Sequence, residues 1–155
     1  MGGGLAILKA AEDDRIKKVV SWAAISECKT PWGSWDAEKM EAWKQSGVAY
    51  TTNSRTNQNM PLRYQLYLNY EQNLQRLDIK NSIKKLNIPI LLCHGTLDGS
   101  VTVDKARDLK EWQPNAKLFL VESDHVFGRK HPWLESNLPA PMQAVVDKSL
   151  EFLNG

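Results

Sequence analysis

Three short apolar runs alternate with segments of helical periodicity along the chain. The runs lie near 19–25, 89–94 and 117–121, and apolar residues fill most of their positions instead of every second one. Such runs are typical of strands buried on both faces, as in parallel sheets. The segments around them carry apolar residues three and four positions apart, which predicts helices. The sequence therefore predicts an α/β fold in which helices flank three parallel strands.

Capping residues and prolines predict where the helices begin and end. The predicted helices are Leu5–Glu12, one from Ser34 or Asp36 to about Ser46, one opening at Pro61, Ile79–Leu86 with Asp78 as its cap, one from Thr102 to about Trp112, and one opening at Pro139. The helix from Pro61 has a stripe at Leu62, Leu66, Tyr70, Leu74 and Leu77. The polar segment 53–59 before it is predicted to be a loop.

Composition narrows the class of protein. The 155 residues are 42% hydrophobic and 25% charged with a net charge of +2, which excludes a disordered or collagen-like chain. This charge gives no reason to expect nucleic acid or an anionic membrane as a partner. No stretch approaches the roughly 18 apolar residues of a membrane span, and no signal peptide is evident. Two cysteines, Cys28 and Cys93, form no disulfide framework, so we expect a cytoplasmic protein.

Polar residues with chemical potential follow the second and third predicted strands. Asp98 lies in the loop after the second strand, and His125 lies in the loop after the third. Because functional residues of parallel sheets lie beyond the carboxyl ends of the strands, both side chains are expected on one rim. A carboxylate beside an imidazole fixes the tautomer of the ring and stabilises the imidazolium that forms in a nucleophilic triad. Asp98 and His125 are therefore the candidate catalytic residues.

These loops resemble those of a known fold family. His94–Val101 resembles the strand-end motif that carries the triad acid of α/β hydrolases, and Glu122–Phe127 resembles their histidine loop. The chain is most similar to dienelactone hydrolase-like and serine aminopeptidase-like members. The resemblance implies a partial α/β-hydrolase domain over residues 1–155. It also implies hydrolysis of an ester, thioester or small amide through an acyl-enzyme, with His125 as base and then acid, Asp98 as its orienting partner, and no cofactor.

The first residues resemble the tail of the family's nucleophile elbow, Gly-x-Ser-x-Gly. Aligned in this way, Gly2 is the last glycine of the elbow, and the nucleophile would lie one residue before Met1. Met1 takes the position whose amide contributes to the family's oxyanion hole. The chain is therefore expected to be truncated, to lack the serine, and to be inactive alone.

Other nucleophiles and a metal site are less well supported by the sequence. Ser26, Cys28, Ser100 and Ser123 lie near strand ends, but none has the flanking glycines of an elbow, and Cys93 is most simply a core residue. The histidines His94, His125 and His131 lack the spacing of metal ligands, and neither cysteine has a CxxC partner.

The segment 28–87 is rich in tryptophan, tyrosine, asparagine and glutamine. It takes the position of the family's cap or lid, so the resemblance implies that it helps to shape the acyl pocket. Its aromatic residues can equally pack the lid against the body of the domain, and a non-catalytic binding module that uses this segment is the alternative function. Trp133 either lines the pocket or anchors the histidine loop.

The family's strand order predicts an exposed edge. In that order the strand at 19–25 pairs with the elbow strand, which this sequence lacks. An apolar strand with an open edge invites pairing with another chain. We therefore expect self-association, or a partner chain, at this edge.

Overall fold

The computed structural model describes residues 2–53, 56–130 and 132–155 and divides into two compact units. One unit holds the residues up to Glu27 and from Asp78 onward, and the other is Cys28–Leu77. In chain order the elements are α1 (Gly2–Glu12), β1 (Val19–Trp22), a 3₁₀ turn (Trp32–Ser34), α2 (Ala37–Ser46), β2 (Val48–Thr52), β3 (Asn59–Arg63), α3 (Gln65–Gln72), α4 (Ile79–Lys85), β4 (Ile90–Gly95), α5 (Asp104–Trp112), β5 (Lys117–Val121) and α6 (Ala140–Asn154).

The first unit is built on a parallel sheet with the strand order β1-β4-β5 in the described part of the chain. Val19 lies opposite Ile90 in the first pair of strands, and Leu91 lies opposite Lys117 in the second pair. The three predicted strands are confirmed, although β1 is shorter than its apolar run. It ends at Trp22 because Ala23 adopts a left-handed backbone conformation with φ of 48°.

Helices cover both faces of this sheet, as the sequence predicts. On one face, Leu91 and Cys93 of β4 form a buried cluster with Ala23, Phe127 and Val145 of α6. Helix α4 packs against α1 and α5, while α1 contacts β1 and α5 contacts β4 and β5. Successive side chains of a strand point to opposite faces, so a strand covered on both faces is buried at every position. β4 is buried along its whole length in this way.

The glycines at the start of the chain lie inside α1, which begins three residues earlier than predicted. A Cβ atom on Gly3 would lie 2.8 Å from the Ala24 Cβ, and one on Gly4 would lie 2.8 Å from the Ile25 Cγ1. The small residues therefore allow α1 to pack closely against the segment that follows β1.

In the second unit, α2 has the predicted boundaries. Asp36 accepts a hydrogen bond from the amide of Lys39 at 2.8 Å, and Gly47 ends the helix with φ of 72°. The predicted helix from Pro61 is wrong, since Pro61 lies in β3 and pairs with Tyr50 of the antiparallel hairpin β2–β3. Proline is tolerated in a strand at an edge, and this sheet has only two strands within the described residues.

Aromatic rings form the core of the second unit. Trp43 is 1% exposed and donates a hydrogen bond from its indole nitrogen to the carbonyl of Leu62 at 2.8 Å. The rings around it are Trp32, Trp35, Tyr64 and Tyr67, at centroid distances of 5.0–6.2 Å. Most of these aromatic residues therefore pack against one another.

The second unit ends at Leu77, ten residues before the end predicted for the insert. Helix α4 lies in the first unit because Ile79 and Ile83 are 1% and 0% exposed where α4 packs against α1 and α5. Asp78 caps this helix as predicted, accepting a hydrogen bond from the amide of Asn81 at 2.9 Å. The predicted cap of α5, Thr102, is wrong, since the helix begins at Asp104 without a side-chain cap. No described helix has the length and apolarity needed to cross a membrane.

Candidate active site

The two candidate catalytic residues meet at the carboxyl end of the sheet. Asp98 follows β4 and His125 follows β5, and these strands are parallel neighbours. The Nδ1 atom of His125 lies 2.7 Å from the Oδ2 atom of Asp98. The structure therefore joins the two residues that the sequence places on one rim.

The Asp98 carboxylate is fully buried and held at both oxygens. Oδ1 accepts hydrogen bonds from the amides of Ser100 and Val101, each at 2.8 Å, and Oδ2 faces His125. Burial raises the pKa of Asp98, but the hydrogen bonds from Val101, His125 and Ser100 outweigh it and hold the pKa below its usual value. Asp98 is therefore an ionised acceptor near neutral pH.

This acceptor fixes the state of the imidazole. An ionised carboxylate can only accept a hydrogen bond, so Nδ1 of His125 carries the proton that it donates to Asp98. In the neutral ring, Nε2 is then the basic nitrogen that can take a proton from a nucleophile. The His125 side chain is 37% exposed while the Asp98 side chain is 0% exposed, so the buried residue orients a ring that a reactant can reach.

Gly95, the last residue of β4, brings the two loops together. A Cβ atom at this position would lie 2.3 Å from the carbonyl oxygen of Ser123 and 2.6 Å from that of Asp124. Two backbone hydrogen bonds hold the loops at this short distance. The amide of Thr96 donates to the carbonyl of Val121 at 2.9 Å, and the amide of Leu97 donates to the carbonyl of Ser123 at 3.0 Å. The sequence analysis missed this role, although a glycine between a strand and a loop is a recognised sign of close backbone approach.

The loop around His125 is folded by its neighbours. Asp124 Oδ1 accepts hydrogen bonds from the amides of Val126 at 3.2 Å and Gly128 at 2.8 Å. Phe127 is 2% exposed, has φ of 56°, and packs edge-to-face on Trp22 with 5.8 Å between ring centroids. Asp124 and Phe127 therefore anchor His125 from both sides, and the sequence analysis identified neither of them as an anchor.

The other candidate nucleophiles have different surroundings. Ser26 donates to Asp108 at 3.3 Å, and Ser123 donates to Asp124 at 3.5 Å. Cys93 is a core residue, as predicted, because it is 1% exposed and burial raises its pKa to about 11. Burial also raises the pKa of Cys28. Ser100 is exposed, and it contacts Asp98 through the hydrogen bond from its backbone amide that is described above.

Three further predictions concern residues around the site. Trp133 donates a hydrogen bond to the carbonyl of Asn137 at 3.1 Å, a local contact that does not distinguish the two roles predicted for it. Met1, assigned to the oxyanion hole, and His131 lie outside the described residues. Within the described residues, no group of three or more histidine, cysteine, aspartate or glutamate side chains is arranged to hold a metal ion.

Comparisons with known proteins identify the fold. No protein-family profile matches the sequence, and no curated protein matches it either. Among solved structures, alpha/beta hydrolase domain-containing protein 10 from mouse matches with a TM-score of 0.67 and 16% identity, over 98% of this chain and 58% of its own. Est1E from Butyrivibrio proteoclasticus with bound ferulic acid matches with a TM-score of 0.64 and 20% identity, over 99% and 57%.

A third similar structure is the monoacylglycerol lipase from Paleococcus ferrophilus, with a TM-score of 0.61 and 15% identity, over 97% of this chain and 65% of its own. The chain therefore spans about three fifths of the length of these three solved structures. At such low identity the likeness concerns the arrangement of the backbone. The parallel sheet, its helical layers and these matches show that the chain has the fold of the α/β hydrolases.

Proposed function

We propose that this chain carries the acid–base pair of a serine hydrolase that cleaves an ester, thioester or small amide. The observation that carries the proposal is the 2.7 Å contact between His125 Nδ1 and the buried Asp98 Oδ2. Esterases and a lipase are among the structures that share the fold, which supports a hydrolase-type reaction. The two free cysteines support a reducing compartment such as the cytoplasm.

In this proposal, His125 removes the proton of a serine hydroxyl through Nε2 as the serine attacks the acyl carbon. The buried Asp98 carboxylate stabilises the imidazolium that forms. His125 then returns the proton to the leaving alkoxide, thiolate or amine, and an acyl-enzyme remains. A water molecule, deprotonated by the same nitrogen, releases the acid and restores the serine.

The proposal assigns the serine to a residue outside this sequence. The serines at the strand ends support this assignment, because Ser26 and Ser123 donate their hydroxyl hydrogen bonds to Asp108 and Asp124, whereas a nucleophilic serine would donate to Nε2 of His125. Removal of the nucleophile lowers turnover about a million-fold in the serine-protease reference case. The 155-residue chain alone is therefore expected to have no measurable esterase activity.

The second compact unit, Cys28–Leu77, is proposed to act as a lid for the acyl group. Its buried rings stabilise the unit itself, so its exposed apolar side chains are the candidates for substrate contact. Tyr50, Met60 and Leu66 are 61%, 44% and 43% exposed. If the chain instead serves as a non-catalytic binding module, these same residues would bind the ligand, and His125 would be dispensable.

We also propose that the edge of β1 pairs with another strand. β1 hydrogen-bonds to β4 on one side, and no described strand pairs with its other side. Val19 and Ser21 are buried on one face of the strand, and Val20 on the other face is half-buried, while the edge groups of β1 remain available for pairing. Light scattering on the purified chain is expected to show oligomers or aggregates, and a uniform monomer over a wide concentration range would contradict this.

An active-site probe tests the hydrolase proposal. The native source is treated with a fluorophosphonate, which labels activated serines, and proteins containing the peptide Leu118–Arg129 are examined by intact mass. We expect a labelled species heavier than 17.6 kDa, or a labelled partner that copurifies with this chain. An unlabelled 17.6 kDa protein without such a partner would support the binding module.

Variants identify the base. In the protein that the probe identifies, expressed without the label, His125→Ala is expected to lower acyl turnover by several orders of magnitude, whereas Ser123→Ala serves as a control two positions away. Wild-type turnover in His125→Ala would refute the assignment of the acid–base pair. Label on a serine within residues 2–155 would refute the external nucleophile.

A further inference from the structure

His94 is a second imidazole beside Asp98, and the reaction steps above do not use it. It lies in β4 and is 1% exposed. Its Nε2 atom lies 2.8 Å from the carbonyl oxygen of Val101 and 3.4 Å from Asp98 Oδ2. Its Nδ1 atom has no hydrogen-bond partner among the residues that the structure describes.

These contacts determine the tautomer of the ring. A carbonyl oxygen can only accept a hydrogen bond, so Nε2 of His94 carries the proton, and Nδ1 of the neutral ring keeps a lone pair. A buried lone pair without a partner lowers stability. A leucine or phenylalanine would fill the same space without this cost, so the contacts of the Nε2–H group are what distinguish histidine here.

The Val101 residue links His94 to the acid. Its carbonyl accepts the hydrogen bond from His94, while its amide donates to Asp98 Oδ1 at 2.8 Å. The same Nε2–H group also faces Asp98 Oδ2, the oxygen that pairs with His125. His94 therefore holds the turn that fixes one carboxylate oxygen and lies beside the other.

We propose that His94 is a positioning residue that sets the orientation of the Asp98 carboxylate and, through it, of the His125 ring. The catalytic meaning of this role rests on the proposed hydrolase function, but the hydrogen-bond relay His94–Val101–Asp98–His125 does not. The relay is therefore tested by spectroscopy on the 155-residue chain, separately from any measurement of turnover.

The first measurement uses the wild-type chain labelled with ¹⁵N and ¹³C. The ring ¹⁵N shifts of His94 are expected to show a protonated Nε2 and an unprotonated Nδ1, with a hydrogen-bond coupling from Nε2 to the Val101 carbonyl carbon. An unprotonated Nε2 would overturn the proposal without any variant. At concentrations where the chain self-associates, the same shifts are measured by solid-state NMR.

Two substitutions separate positioning from packing. Gln keeps an N–H donor near the position of the imidazole Nε2, whereas Leu fills the space without a donor. We expect a downfield proton resonance from His125 Nδ1–H in the wild type and in His94→Gln, and its loss in His94→Leu. Exchange of the Val101 amide is expected to be at least tenfold faster in His94→Leu than in His94→Gln.

Thermal unfolding of both variants shows whether a change is local. If His94→Leu keeps the downfield resonance and the slow exchange of Val101, His94 is only a packing residue and the proposal is wrong. If both variants lose the resonance equally, the donor is not what matters, and the proposal is also wrong. A failure of the hydrolase proposal would leave these spectra unchanged, so the two outcomes are distinguishable.

Discussion

Gly95→Ala is the substitution that most directly tests how the loops carrying Asp98 and His125 are held together. The added methyl group would lie 2.3 Å from the Ser123 oxygen and 2.6 Å from the Asp124 oxygen. An ordinary contact requires a shift of roughly 1 Å, and both opposing atoms belong to the backbone. Neither can rotate away as a side chain can, so β4 and the loop after β5 must separate.

The cost of this separation has two parts. Overpacking in a dense core costs about 1–3 kcal/mol. The shift also strains the hydrogen bonds of the Thr96 and Leu97 amides, each contributing about 0.5–1.5 kcal/mol. We therefore expect Gly95→Ala to lower the free energy of unfolding by about 2–6 kcal/mol and to weaken the Asp98–His125 contact.

Urea unfolding at low protein concentration measures this loss, and the same loop provides a control. A Cβ on Gly99 would meet no atom within 4 Å, and Gly99 does not have a positive φ. Gly99→Ala is therefore expected to be neutral, or to stabilise the chain by about 0.4–1 kcal/mol through the unfolded state. Equal stabilities for Gly95→Ala and Gly99→Ala would refute the close-approach argument.

Three other predictions follow from the contacts of the site. In thermal unfolding, Asp124→Ala should lower the free energy of unfolding by about 1 kcal/mol and Asp124→Asn by less, because asparagine keeps a side-chain oxygen that can accept the hydrogen bonds of the loop amides. Equal losses in the two variants would contradict this explanation. Folding lowers the pKa of Asp98 below 3.8, so the ionised carboxylate contributes its full stabilisation above about pH 5 and loses it as the pH falls through the pKa of the folded state. In urea unfolding at a series of acidic pH values, the free energy of unfolding should therefore fall less steeply with decreasing pH in Asp98→Asn than in the wild type. Iodoacetamide should label Cys28 before Cys93, whose pKa is about 11, and prior labelling of Cys93 would disprove its burial.

The sheet and the acid–base pair were predictable because their signals are local and strong. Continuous apolar runs predict strands, and the structure has β4 and β5 where these runs lie, although β4 is buried along its whole length and β5 is not. The position of catalytic residues beyond parallel strands then follows from topology alone. Asp98 and His125 needed no further information, because neighbouring parallel strands bring their ends to one rim.

The hairpin of the second unit was not predictable in the same way. Leucines and tyrosines four residues apart suggested one long helix, but Leu62 belongs to β3, and α3 ends at Gln72. The pairing of Tyr50 with Pro61 joins residues on either side of a polar loop, and such pairing is specified by tertiary contacts more than by local propensity. The left-handed conformations of Ala23 and Phe127 have no sequence signal either, because neither residue type favours them.

Most of the contacts that position Asp98 and His125 arise within β4, β5 and the loops that follow them. Gly95 allows the loops to approach, Val101 holds the acid, and Asp124 folds the histidine loop. Phe127 adds one anchor outside this strand pair, because its ring packs edge-to-face on Trp22, the last residue of β1. The pair is therefore fixed mainly by β4, β5 and their loops, whereas the proposed serine would be placed by a different part of the fold. This division explains how Asp98 and His125 can keep their hydrogen-bonded contact in a chain for which we propose an external serine.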